Sequence, residues 1–178
     1  MKPTIIHHAK IVKIESNGSY VFQNCGMKDS CGKVCSSKIV TQRRPGLTRK
    51  RPALSYHTLF YCSHCRRQCT STVVNYRFNM TLYDSATNTE AEYTVYDDHA
   101  AGFLGMSCAE FVQKAKKDDT LADRITSLLV GMQCQAKYVK SKGTGLKLQE
   151  LKLESLEPNV TVKDMLQDSE PTVIGFTI

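Results

Sequence analysis

Residues 24–35, NCGMKDSCGKVC, and residues 61–69, YCSHCRRQC, decide how this chain folds. They hold six of its eight cysteines, in two clusters joined by a basic, proline-bearing stretch. Cys62 and Cys65, two residues apart, present both thiolates to one cation across a tight turn, and an upstream pair completes a tetrahedron. The pattern predicts a structural zinc ribbon. In the first cluster Cys25, Cys31 and Cys35 offer two pairings. Gly32, directly after Cys31, permits the positive φ with which a chain folds back past a metal and favours Cys31. The expected ligands are therefore Cys25, Cys31, Cys62 and Cys65. Cys35 and Cys69 are left over, either able to replace an assigned ligand, with packing as small buried residues the expected role of a spare thiol. His57 and His64 are further candidate substitutes for a ligand, with a loop or surface imidazole the expected role of each.

A disulfide framework is the competing reading. Disulfide-dense domains are usually secreted and under about 80 residues, whereas this chain has 178 and begins MKPTIIHHAK, without a signal peptide's apolar core. Catalytic zinc is disfavoured, because four thiolates leave no open position for water. The His-x-Glu that zinc deaminases use for proton transfer is also absent from the sequence. No acid/base constellation or phosphate loop can be assembled, so the expectation is a non-enzyme without a small-molecule substrate.

With 41% hydrophobic residues the chain suits one domain carrying an insertion, and no apolar run reaches the 18 or more residues of a membrane helix. The expectation is a soluble, intracellular protein. Its formal charge is +7, distributed unevenly. From Lys28 to Arg67 ten Lys/Arg face the single acid Asp29, so the positive field belongs to the ribbon and its loop, and the remainder is slightly acidic.

Ile5 to Ser16 reads as a first strand ending at the turn signal Asn17-Gly18. After the ribbon, VVNYRFNMTLYD alternates, with Tyr76, Phe78, Met80 and Leu82 on one face and Arg77, Asn79, Thr81 and Tyr83 on the other. That is a strand with one wet face. AEYTVY follows as its antiparallel partner, with Tyr93 and Val95 opposite Glu92, Thr94 and Tyr96. Ser107-Cys-Ala-Glu110 has the form of a capping box, and Leu121, Ile125, Leu128 and Leu129 recur at helical spacing, predicting one or two helices. MQCQAKYVKS is a fourth strand, KGTG a turn, and LKLQELKLESLE a fifth. In the fifth, the step of three from Leu148 to Leu151 predicts a bulge where a barrel strand bends.

Five strands with helix between the third and fourth match an OB-fold, a small barrel whose face and loops bind nucleic acid or sugars. The expected architecture is mainly β: a five-stranded OB barrel over residues 1–157, with a zinc ribbon at about residues 20–70 inserted between strands 1 and 2. Residues 158–178 form a C-terminal tail whose end, PTVIGFTI, either packs back on its own barrel or adds as a strand to a partner sheet. The pattern Cys25…CGK…Cys62-x2-Cys65, followed by YRFNMTLYD, YTVYDDHAAGFLG and the terminal hairpin, resembles the C-terminal DNA-binding domain of the large subunit of replication protein A. The resemblance covers roughly residues 8–157 and extends to diverged paralogues such as those of the CST, meiotic and shieldin complexes. It implies a ribbon inserted between the first two barrel strands, structural zinc, single-stranded DNA as ligand, protein subunits as partners and a nuclear location. The chain departs from the family in its longer, more basic connection between Cys35 and Cys62 and in a spare cysteine at each knuckle. The family's long trimer-forming helix is represented only by NVTVKDMLQDSE, between Pro158 and Pro171.

A single strand is held by cations along its phosphates and by aromatic rings stacked on its bases, each stack contributing about 1–3 kcal/mol. Tyr96 aligns with a base-stacking aromatic of the resembled family, its competing role being a core-edge tyrosine with the hydroxyl in water. Arg77 and Tyr83 lie on the wet face of the second strand, and Lys140 and Lys142 flank the loop between strands four and five. Tyr138 sits on a strand of open register, either core or stacking residue. Arg43, Arg44, Arg49, Lys50 and Arg51 extend the phosphate track, unless the run is only a solvated loop or an import signal. Arg77 has a competing role as cross-strand partner of Glu92. The alternative function is an OB module that assembles partner subunits with slight DNA contact.

Overall fold

The computed structural model describes residues 2–16, 20–35, 37, 39–43, 58–141, 145–154 and 160–168, with residues 41–43, 58, 59 and 168 described through their backbone alone. Two compact units result, one of Met1–Val21 with Tyr76–Ile178 and one of Phe22–Asn75.

The first unit is built from β1 (Thr4–Glu15), β6 (Thr72–Asp84), β7 (Thr89–Tyr96), β8 (Gln133–Lys140) and β9 (Leu146–Leu153). Sheet order runs β1-β8-β9-β7-β6, with β1 also pairing β6, which closes the ring. All of these pairings are antiparallel except β7 with β9. This is an OB-fold barrel. Alternation sets its interior: Tyr76, Phe78, Met80, Leu82, Tyr93 and Val95 are all buried, as period-two patterning requires. Closing so few strands demands sharp bending, and register slips mark where it occurs. One slip lies between Lys137 and Tyr138, paired with Glu150 and Leu148, so Gln149 is the extra residue on β9. That is the bulge expected between Leu148 and Leu151, and both leucines face the core.

Three helices, where one or two are expected, separate β7 from β8: α1 (Asp97–Leu104), α2 (Cys108–Ala115) and α3 (Leu121–Leu129). At α2 the Ser107 hydroxyl accepts from the Glu110 amide at 3.2 Å. Along α3, Leu121, Ile125 and Leu129 are buried on one stripe. The unexpected helix α1 has Asp97 and Asp98 in its first turn and ends at Gly105, whose φ is +71°. A Cβ at Gly105 would run into the Thr161 side chain, so glycine also allows the C-terminal segment its close approach. That segment forms α4 (Val162–Asp168), which packs on α3 and α1 with Val162 and Leu166 buried. Part of the expected tail thus folds onto the first unit. Residues 169–178 lie outside the described residues, as does the Asn17-Gly18 turn. No helix among the described residues is long and apolar enough to cross a membrane.

The second unit carries most of β2 (Val21–Cys25) and a small sheet β3-β4-β5 formed by Ile39–Arg43, Thr58–Cys62 and Arg67–Gln68. Its core is small: Cys25, Ile39, Cys62 and Cys69, with Met27, Cys35, Phe60 and Cys65 against them. Such a core needs a further constraint, and the cysteines are placed to provide one.

Candidate metal centre and nucleic-acid face

The second knuckle follows from local backbone geometry. Cys62 ends β4, its Sγ accepts from the Cys65 amide at 3.4 Å, and Arg66 turns the chain with a φ of 52°. The first knuckle is a hairpin. Asp29-Ser30-Cys31-Gly32 is a β-turn with Gly32 N donating to Asp29 O at 3.0 Å, while Asp29 Oδ1 accepts from the amides of Cys31 and Lys33. Cys31 therefore stands exposed at the tip of the turn, and the strand returns through the Lys28–Val34 bridge. Cys35 N then donates to Met27 O at 2.8 Å and Cys25 N to Ser37 O at 2.9 Å, which sets Cys35 beside Cys25.

The resulting group is Cys25, Cys35, Cys62 and Cys65, with all four Sγ atoms within 4.8 Å of one another. Cys31, expected as the fourth ligand, lies outside it, and Cys35 stands in its place. Gly32 does adopt a positive φ, +77°, but it closes the hairpin turn and does not wrap a metal.

Chemistry can be tested against the spacing. Zinc–sulfur bonds of about 2.3 Å imply sulfur–sulfur edges of about 3.8 Å in a regular tetrahedron. Cys35–Cys62 and Cys25–Cys65 are separated by 3.8 and 3.9 Å. Disulfide sulfurs would lie about 2.05 Å apart, and all eight cysteines are free. The donor set thus fits a tetrahedral cation of zinc's size. Burial raises the Cys25 thiol above its usual range, whereas hydrogen bonding from Ser37 draws Cys35 down to about 6. A divalent cation bound there would supply the charge that lets all four ionise together. Beside Cys35 and Cys65 opens a cleft of about 510 Å³ lined by Lys28, Lys33, His64 and Arg67 among others. Cys69, Cys108 and Cys134 are buried, and burial pushes the last two thiols to about 11 and 12, as for packing residues.

On the barrel, register places Arg77 of β6 directly opposite Tyr96 of β7, and Asn79 opposite Thr94. Lys147 pairs with Thr94 on the other side of β7, and its ammonium sits 5.3 Å from the centroid of the Tyr96 ring. Arg77, Tyr96 and Lys147 therefore form one patch on the barrel's exterior. Lys147 escaped the sequence reading, although its place between inward Leu146 and Leu148 marks it as outward-facing. Glu92 lies opposite Thr81, four residues along β6 from Arg77, and accepts from Asn79 at 3.1 Å.

The remaining candidates scatter. Tyr83 lies six residues along β6 from Arg77, about 20 Å at strand rise, and its hydroxyl donates to Asn88 at 2.6 Å in the β6–β7 turn. Tyr138 shares the inward face of β8 with Cys134 and Ala136, and its ring meets buried Tyr93 edge-on at 5.1 Å, making it a rim residue of the core. Lys140 is exposed at the end of β8, whereas Lys142 lies outside the described residues. So do His57, Arg44, Arg49, Lys50 and Arg51, while Arg43 is described by its backbone alone.

The fold and the site together define a class: an OB barrel with a four-cysteine insertion between its first two strands. Within that class, the model of the replication factor-A C-terminal domain matches residues 5–150, and the chain belongs to that family. Among solved structures it is similar to a replication protein A heterotrimer bound to ssDNA, at 14% identity and a TM-score of 0.51 over 86% of this chain and 33% of that one. It is also similar to yeast RPA bound to ssDNA, at 15% identity and a TM-score of 0.50 over 93% of this chain and 82% of that one. At such identities the likeness is one of fold. The chain spans about a third of the length of the first of these. No curated protein sequence matches.

Proposed function

We propose that this chain is a single-stranded DNA-binding module of a larger replication, repair or telomere-maintenance complex, acting in the nucleus and without enzymatic activity. The observation that carries the reading is the Arg77–Tyr96–Lys147 patch on the barrel of a replication factor-A C-terminal domain. Tyr96 offers a face for one base, and Arg77 and Lys147 flank it with charge for the adjoining phosphates. Zinc held by Cys25, Cys35, Cys62 and Cys65 is structural, fixing a ribbon whose own core is too small to order it. The ribbon's cations, Lys28, Lys33 and Arg67 with the loop residues Arg43, Arg44, Arg49, Lys50 and Arg51, add affinity that does not depend on sequence.

A second reading, an OB module that mainly assembles partner subunits, is favoured by Glu90 and Glu92, which oppose Tyr83 and Thr81 on the exterior of β7 and repel phosphates there. Titration of labelled oligothymidylate with wild-type protein and Tyr96→Ala separates the two. Loss of one stack, about 1–3 kcal/mol, weakens binding by roughly 5- to 150-fold under the DNA-binding reading. Unchanged affinity leaves the assembly reading.

A further inference from the structure

The first unit contains a second cationic feature away from the β6–β7–β9 face, and sequence patterning gave no hint of it. Helices α2, α3 and α4 line a pocket of about 190 Å³ whose wall carries Lys114, Lys117, Arg124 and Lys163 and, among the described residues, the single acid Asp118. Its floor is apolar, made by Met106, Leu121 and Leu166. Three acids around it are already engaged. Asp118 accepts from Arg124 at 3.0 Å and from the Thr120 amide and hydroxyl, Glu110 pairs with Lys163 at 2.8 Å, and Asp164 accepts from Thr161. Arg124 also donates to the Leu166 carbonyl at the end of α4. Lys114 and Lys117 make no ion pair within 4 Å among the described residues, and although Lys114 also acts electrostatically on Glu110 four residues before it, that carboxylate is held by Lys163.

We propose that this pocket is a docking site for an acidic peptide segment of a partner protein, taking one carboxylate side chain between Lys114 and Lys117 and a neighbouring aliphatic side chain against Leu121 and Leu166. Size and charge select that occupant. Sites for whole small molecules or cofactors run to about 300–1,000 Å³, so this one admits a side chain or two and not a nucleotide. Two surplus ammonium groups above an apolar floor complement an acid next to an aliphatic residue, a pairing that a nucleic-acid backbone lacks. The pocket exists because α4 folds back, so partner docking is coupled to the packing of the C-terminal segment.

The test uses the full, metal-loaded chain and a fluorescein-labelled peptide alternating Asp/Glu with Leu, with its Asn/Gln counterpart as control. The acidic peptide should bind, and its titration should move the amide resonances of Lys114, Lys117, Leu121 and Lys163. Joint Lys114→Gln and Lys117→Gln should weaken it at least about tenfold, the loss of one to two charge-assisted contacts, while Lys117→Arg should retain it. Any of three results overturns the proposal: no binding up to millimolar peptide, equal binding of the Asn/Gln peptide or of the double variant, or displacement by oligothymidylate acting on the same resonances. The last would mean that the pocket serves phosphate.

Discussion

Replacing Cys35 and Cys31 by serine, one at a time, separates the hairpin geometry of the first knuckle from any reading of its spacing. Cys35 Sγ lies 3.8 Å from Cys62 Sγ, at the edge length of a zinc–thiolate tetrahedron, whereas Cys31 is exposed at the turn tip. Apparent zinc binding in finger peptides is about 10–16 kcal/mol for four ligands. Losing one therefore costs about 2.5–4 kcal/mol, or roughly 10²- to 10³-fold in metal affinity at about 1.4 kcal/mol per decade. Cys31→Ser, a surface change, should stay within about 0.5 kcal/mol of wild type. Competition against a chromophoric chelator measures both, and elemental analysis of the wild-type protein should find one zinc per chain, as the one four-cysteine cluster among the described residues requires. Metal lost from Cys31→Ser and kept by Cys35→Ser would refute the hairpin argument.

Further outcomes follow from the same geometry. Gly105→Ala forces a side chain into φ +71° and against Thr161, so it should destabilise the chain by at least about 1–2 kcal/mol in chemical denaturation. Glu110, hydrogen-bonded by Lys163, Asp118 by Thr120 and Arg124, and Asp164 by Thr161 all titrate below ordinary carboxylates. Their contribution to stability is whole above the ordinary values of 4.5 and 3.8 and is lost as pH falls through the lowered native ones. Denaturation midpoints should accordingly drop on acidification, and Glu110→Gln should flatten that dependence. Neutralising Arg43, Arg44, Arg49, Lys50 and Arg51 together should flatten the salt slope of single-strand binding by up to about 0.7 per phosphate contact removed. An unaltered slope would make that run a solvated linker or an import signal.

Much of the barrel was legible because strands alternate visibly. Tyr76 to Leu82 and Tyr93 to Val95 face inward as patterned, and even the bulge at Gln149 showed as a broken step between leucines. Ser107 announced α2 by its cap. Helix α1 was equally announced, by Asp97-Asp98 at its start and Gly105 at its end, but its short Ala-rich body has little hydrophobic period to detect. Cys31 misled because a glycine after cysteine suits both a metal knuckle and a hairpin turn. The Asp at the first and Gly at the fourth position of Asp29–Gly32 decided for the turn. The outward aim of Lys147 was legible, but its meeting with Tyr96, like that of Tyr138 with Tyr93, depended on cross-strand register, which pairs β8 with β9 and β7 with β9 across distant sequence. The pocket under α4 needed three helices brought together, and so had no linear signature.

The central claim, single-strand binding by this barrel and ribbon, is tested most directly by fluorescence anisotropy of labelled oligothymidylate against duplex of equal length at two salt concentrations. The account predicts a clear preference for the single strand, weakening steeply with salt and reduced by Tyr96→Ala without a change of slope. No binding at micromolar protein, or equal binding of duplex, would contradict it.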